Sequence, residues 1–347
     1  MLKEFGLEKG CTMIESQEVQ ILRKKIDMHL EQEVFSGSIL VAKNGIPIYL
    51  RAKGFADYDK GILNRIDTKY NLGSMNKMFT AIAIAQLAQE GKLSFADSLT
   101  KYLTDYPNQE FEQVTIHQLL THTGGTGDIF GPAYEKNIEM LRTPKDYINL
   151  YGHRSLEFEP GSKWQYSNYG FVLLGAIIEK VSDLDYYDYI QMHIYDIAGM
   201  NSSGSYWKSE VIENLAIGYS SIDNSSNKNN YDFLPMRGTP TGGGYSTVED
   251  LLKFAVSLLN NQLLNIDYTH LVTQGKIELQ EKKKYAYGFY DQIGNNIRRI
   301  GHSGGAPGIN STLRIYPSIG YVIIVLGNFS PPIADRLADF IESHLSQ

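Results

Sequence analysis

Short β-prone runs stand at both ends of this chain with a long, mainly helical stretch between them, and this arrangement restricts the possible folds more than any other feature. From Ser38 to Phe55 the residues SILVAKNGIPIYLRAKGF form two β-type runs around Lys43-Asn44-Gly45. Asn-Gly between such runs is a strong hairpin signal. Near the other end, Tyr285–Tyr290, Arg298–His302, Ser311–Tyr316 and Tyr321–Leu326 are short, β-prone and separated by Gly, Pro or Asn. Between these ends, Met75 to Glu90 is rich in Ala, Leu, Ile and Met and stops at Gly91, which suits a helix C-terminus. Further helices are expected at Thr115–Thr121, opened by a Thr115/Gln118 capping box, and at Gly170–Val181, ending near Ser182-Asp183. Another is expected from Ser246, where Ser246 and Glu249 form a second capping pattern.

The expected fold is therefore α/β in the α+β sense: one antiparallel β-sheet built from both termini and flanked by helices, plus an all-α lobe. At 347 residues the chain exceeds the usual size of one domain, so either one large α/β unit or two lobes sharing a cleft is expected. One domain would cover 20–347, with an α/β lobe at about 20–73 and 236–347, a mainly helical lobe at about 74–235, and 1–19 as an N-terminal extension. The stretch Ser220 to Asn230, SSIDNSSNKNN, reads as a surface loop too short to separate domains.

Composition narrows the classes of function. With 42% hydrophobic and 20% charged residues, the chain is ordinary for a globular enzyme. Its net charge of −7, with acids and bases interspersed, excludes the clustered basic face that nucleic acid requires. Cys11 is the single cysteine, so neither an intramolecular disulfide nor a cysteine-based metal site can form. The N-terminus lacks the apolar core of a signal peptide and no run approaches a membrane span, so a soluble protein is expected, cytoplasmic or exported with its leader removed.

Ser-x-x-Lys occurs four times, at Ser74/Lys77, Ser98/Lys101, Ser205/Lys208 and Ser225/Lys228. Only the first stands at the entry of a strongly apolar helix. One helical turn brings the Lys77 amine towards the Ser74 hydroxyl, where burial and the positive helix end favour a neutral amine. The Ser74 backbone N–H is also free to face a developing oxyanion. Taken alone, the pair reads more readily as an N-cap serine followed by a surface lysine. Tyr-x-Asn is just as common in a chain with 24 tyrosines. Of Tyr106/Asn108, Tyr147/Asn149 and Tyr166/Asn168, only the last follows a turn, Glu159-Pro160-Gly161, and precedes an apolar helix, where a loop can present a phenol and an amide to a cleft.

Gly301-His302-Ser303-Gly304-Gly305 also matches Gly-x-Ser-x-Gly, the nucleophile elbow, but that turn needs a helix directly after the serine. Pro307 and Gly308 break any helix here, and only His344 follows as a histidine. His117 and His122 raise the possibility of a metal hydrolase. On one helix they would point about 140° apart, with no His-Glu-x-x-His companion, so no metal is expected.

Taken together, Ser74-x-x-Lys77, Tyr166-x-Asn168 and a third motif at His302-Ser303-Gly304 resemble the three active-site motifs of serine β-lactamases and penicillin-binding proteins. The strings SGSILVAKNGIPIY, HQLLTHTGG, FEPGSKWQYSNYGFVLLGAIIEKV, GGGYSTVEDLLKF and GHSGGAPG resemble the class C and CubicO-type branch, from about Phe35 to Asn328. The resemblance implies acyl transfer through a covalent ester on Ser74, with Lys77 and Tyr166 sharing the proton and no cofactor. It also implies that Asn168 and the His302-Ser303-Gly304 strand bind substrate, that His302 hydrogen-bonds Tyr166 or the substrate, and that the N–H groups of Ser74 and Gly305 form the oxyanion hole. Where β-lactamases usually carry Lys-Thr-Gly, this chain has His302-Ser303-Gly304, as many esterases and D-amino-acid peptidases of the branch do. The expected partner is thus a small ester, amide or peptide. D-Amino-acid peptidase, DD-carboxypeptidase or weak β-lactamase activity is the alternative within the class, and a non-catalytic sensor or binding protein the alternative outside it.

Overall fold

The computed structural model describes residues 17–220 and 228–345. Cys11, most of the 1–19 extension and the centre of the Ser220–Asn230 loop, including Ser225, lie outside the described residues.

Among the described residues, eight strands form one antiparallel sheet: β1 Gly37–Lys43, β2 Ile46–Lys53, β3 Ile277–Gln280, β4 Lys283–Tyr285, β5 Tyr290–Gly294, β6 Ile297–Ala306, β7 Ile309–Tyr316 and β8 Tyr321–Gly327. Their order is β2-β1-β8-β7-β6-β5-β4-β3. The chain ends meet in this sheet, because β1 pairs with β8 from Gly37↔Gly327 to Lys43↔Tyr321. Asn44 and Gly45 turn the first hairpin with φ of 51° and 78°, as a two-residue turn that follows strand twist requires.

Successive β1 residues serve opposite faces. Ile39 and Val41, with Ile323 and Val325, meet helices α1 (Gln17–Gln32) and α5 (Ile333–Glu342). Leu40 and Ala42 join the larger core with α2 (Asn76–Gln89), α3 (Asn168–Ser182) and α4 (Val248–Leu259). Asn76 through Ala88 are all buried, so α2 is the central helix of the molecule. Its Phe79 meets Tyr195 and Phe254 edge-on, and burying such a side chain contributes about 1.5–3 kcal/mol. The chain thus has the expected architecture of an antiparallel sheet flanked by helices.

Local readings fared unevenly. The Thr115/Gln118 capping box forms as expected on helix Ile116–Leu120. The second box shifts by one residue: Thr247 caps α4 by accepting from the Asp250 N–H. Ser246 instead pairs with Tyr70 in a short strand, its hydroxyl 2.7 Å from Ser203 Oγ. The run Tyr285–Tyr290 is not one strand: Tyr285 ends β4, Tyr290 opens β5, and between them Gly288 has φ of 69° and a Cβ would lie 2.5 Å from the Lys77 carbonyl oxygen. A tertiary contact with α2, invisible to strand propensity, made this a turn.

Candidate active site

Ser74 sits in a 3-10 turn, Gly73–Met75, that leads directly into α2. Three neighbours pin this turn: the Leu72 N–H donates to Gly244 O at 2.8 Å, Ser311 Oγ donates to Leu72 O at 2.7 Å, and Gly73 N–H donates to Asn71 Oδ1 at 2.9 Å. Strand β6 runs so close that a Cβ on Gly304 would lie 2.0 Å from the Leu72 carbonyl oxygen. Gly304 therefore lets β6 pack backbone-to-backbone on the turn that carries Ser74.

One helical turn after Ser74, the Lys77 side chain is fully buried. Its Nζ lies 3.2 Å from Ser74 Oγ, 2.8 Å from Asn168 Oδ1 and 2.8 Å from the Thr241 carbonyl oxygen. Burial holds the amine well below the usual lysine range, with the Asp128 charge acting weakly in the opposite sense. Two of the three partners can only accept. A neutral amine therefore gives its two hydrogens to Asn168 and Thr241 and has its lone pair left for the Ser74 hydroxyl.

Tyr166 completes the group. Its ring centroid lies 4.7 Å from Lys77 Nζ, and the Ser74 side chain is near enough to its phenol to act on its titration. Burial raises the phenol's pKa, with the Ser74 side chain opposing the rise, so the ring is a neutral phenol. The loop is held on both sides of Tyr166: Gln165 N–H donates to His122 O and Ser167 N–H to His122 Nδ1, and the His122 ring lies 4.3 Å from the Tyr166 ring.

Asn168 is available because Ser167, not Asn168, caps α3 by accepting from Gly170 N–H. Its Oδ1 accepts from Lys77 and, at 2.7 Å, from Thr241 Oγ1, while its NH2 donates to both Asp128 oxygens at 2.9 and 3.2 Å. Both ends of this amide are engaged within the protein.

His302 is buried beside the group, and it departs from expectation. No Tyr166–His302 hydrogen bond forms; the rings lie 6.4 Å apart. Instead Nδ1 lies 2.6 Å from the Ser303 carbonyl oxygen and Nε2 lies 3.2 Å from Tyr285 OH. A carbonyl only accepts, so Nδ1 carries the proton and Nε2 accepts from Tyr285. Burial, reinforced by Lys77, lowers the His302 pKa to about 3.

Ser74, Asn168 and Gly305 line one cavity of about 110 Å³, together with Ile129, Phe130 and Phe233, and no charged side chain lines it. Ser303 and His302 line a different cavity, of about 230 Å³, with Arg299 and Arg314. Along β6, Ser303 pairs with Thr312 on the sheet face opposite to that of His302 and Leu313. The nucleophile-elbow geometry is absent, since strand β6 continues through Ala306 rather than turning into a helix. His117 and His122 do not share a helix: the helix ends at Leu120 and His122 has φ of 60°. His117 Nδ1 lies 2.7 Å from Tyr287 OH. Among the described residues no group of three or more His, Cys, Asp or Glu could hold a metal ion.

Sequence reasoning missed Asp128, Thr241 and Tyr285, and weighed His122 only as a metal ligand rather than as the support of the Tyr166 loop. Asp128 carries a charge but no spacing motif, and Thr241 acts in part through a carbonyl that every residue possesses. Among the described residues no helix is long and apolar enough to cross a membrane.

The family model described as Beta-lactamase matches residues 20–346. The putative penicillin-binding protein PbpX of Bacillus subtilis is 30% identical over 307 residues, covering 87% of this chain and 73% of that protein. The crystal structure of a penicillin-binding protein from Bacillus halodurans superposes with a TM-score of 0.82 at 30% identity, covering 94% of this chain and 98% of that one. A D-stereospecific amidohydrolase from Streptomyces sp. shares the fold at a TM-score of 0.77 and 22% identity, covering 94% and 97%.

Proposed function

The chain belongs to the beta-lactamase family, and from that premise we propose that it is a serine hydrolase that forms an acyl-enzyme on Ser74 and acts on small, uncharged esters or amides. The observation that carries this reading is the hydrogen-bond set of Lys77, whose two acceptor-only partners leave the lone pair facing Ser74 Oγ. Lys77 is the base: it takes the hydroxyl proton as Oγ bonds to the substrate carbonyl carbon. The oxyanion faces the N–H groups of Ser74 and Gly305. As the tetrahedral adduct collapses, Tyr166 gives its phenolic proton to the leaving oxygen or nitrogen and regains one from Lys77. Water repeats the sequence in the second half, giving a proton to the same pair and releasing the acid. Asn168 holds Lys77 in place.

The uncharged cavity and neutral His302 support the substrate class. A lysine at that position would bring a cation towards Tyr166, whose ring lies 6.4 Å from the present imidazole, and favour substrates bearing a carboxylate; a histidine with a pKa of about 3 offers none at neutral pH. At pH 8 the kcat/KM for nitrophenyl acetate or butyrate should exceed that for nitrocefin. His302→Lys should shift this ratio towards nitrocefin. A wild-type preference for nitrocefin would make the protein a β-lactamase and leave the Ser74 mechanism standing.

A further inference from the structure

Asn168 can face Lys77 in two ways, because a carboxamide turned over exchanges an acceptor for a donor. With Oδ1 towards Lys77, the amine donates and keeps its lone pair for Ser74. With the NH2 group towards Lys77, the lone pair would be drawn to Asn168 and away from the nucleophile. Thr241 Oγ1 does not decide between them, since a hydroxyl rotates to donate or accept. Asp128 does decide, because a carboxylate only accepts, and both its oxygens lie within 3.2 Å of Asn168 Nδ2. The Ile129 N–H donates to Asp128 Oδ1 at 2.6 Å, and Arg154 donates to the Asp128 backbone carbonyl at 2.8 Å, so the carboxylate is itself held.

We propose that Asp128 is a positioning residue that fixes the Asn168 amide so that Lys77 keeps its lone pair for Ser74. The inference rests on the reading of Lys77 as the base. The other titratable groups facing Lys77 are Tyr166, His122 and His302, all neutral: burial raises the phenol and lowers both imidazoles, which Lys77 lowers further. Asp128 is then the charge that acts on the amine, and its presence raises the Lys77 pKa against the stronger effect of burial.

The test is the second-order rate of labelling by a fluorophosphonate, measured against pH, for the full chain. The wild type should show an acid limb as Lys77 protonates. Asp128→Asn should lower the high-pH plateau by about 10²-fold, the scale of a misplaced catalytic group, and should move the limb to lower pH because the charge that raised the Lys77 pKa is gone. Asp128→Glu keeps the charge and should leave the limb where the wild type has it. In an Asn168→Ala background, Asp128→Asn should cost no further plateau loss. A wild type that labels without an acid limb overturns both this inference and the reading of Lys77 as base. A wild-type limb that stays in place in a folded Asp128→Asn protein, or a plateau that does not fall, overturns the positioning role alone.

Discussion

Ser74→Ala should lower ester turnover by roughly 10⁴- to 10⁶-fold, the range seen when a catalytic nucleophile is removed, and should abolish fluorophosphonate labelling. The turn carrying Ser74 is held by backbone and side-chain bonds to Gly244, Asn71 and Ser311, none of which uses the Ser74 hydroxyl. The variant should therefore fold normally, and the loss reports chemistry. Ser303→Ala should keep both labelling and turnover, because Ser303 lines the cavity shared with Arg299 and Arg314 rather than the one holding Ser74. Labelling that disappears only in the Ser303 variant would return the nucleophile to the Gly-x-Ser-x-Gly segment.

Lys77→Ala and Tyr166→Phe should each lower kcat by roughly 10³-fold or more, yet the double variant should lose far less than the product of the two. The reason is that both groups serve one hydroxyl and pass one proton. Multiplicative losses would separate them into independent roles. The pH profile of the wild type provides a second check. The amine must be neutral to accept a proton, so activity present at high pH is lost as pH falls through the lowered Lys77 pKa. His302, with a pKa of about 3, adds no inflection between about pH 5 and 9. Lys77→Ala also leaves Thr241 O without its buried donor, at a cost of about 1–3 kcal/mol, while Asn168 Oδ1 keeps Thr241 Oγ1, so the folding of the variant should be verified by denaturation.

The sheet was legible because its parts are local. Asn44-Gly45 dictates a hairpin, and the continuous apolar run Tyr321–Leu326 suits a strand buried on both faces. Ser74 and Lys77 were legible for a similar reason: one helical turn joins them, and the apolar run after Ser74 announced a buried helix. Tyr166 and Asn168 could be placed on a loop before a helix, but the capping serine between them showed only in three dimensions that Asn168 is released to meet Lys77. What stayed hidden depends on contacts between distant segments. Asp128 reaches Asn168 across 40 residues and Thr241 O reaches Lys77 across 164, with no periodic signal in either case. His302 was expected to line the Ser74 cleft and to meet Tyr166 or the substrate, but it lines the neighbouring cavity with Arg299 and Arg314. Tyr285 takes the hydrogen bond expected of Tyr166 because the strands bearing Tyr285 and His302 lie in one sheet.

The covalent intermediate itself is the most direct test. Trypsin separates the two candidate serines, releasing Ser74 on the peptide Tyr70–Lys77 and Ser303 on Ile300–Arg314. Wild-type protein quenched in acid within seconds of mixing with nitrophenyl butyrate should carry one butyryl group, located by mass spectrometry on the Tyr70–Lys77 peptide at Ser74. A butyryl group on the Ile300–Arg314 peptide, or turnover with no acylated serine under any quench, would contradict the account.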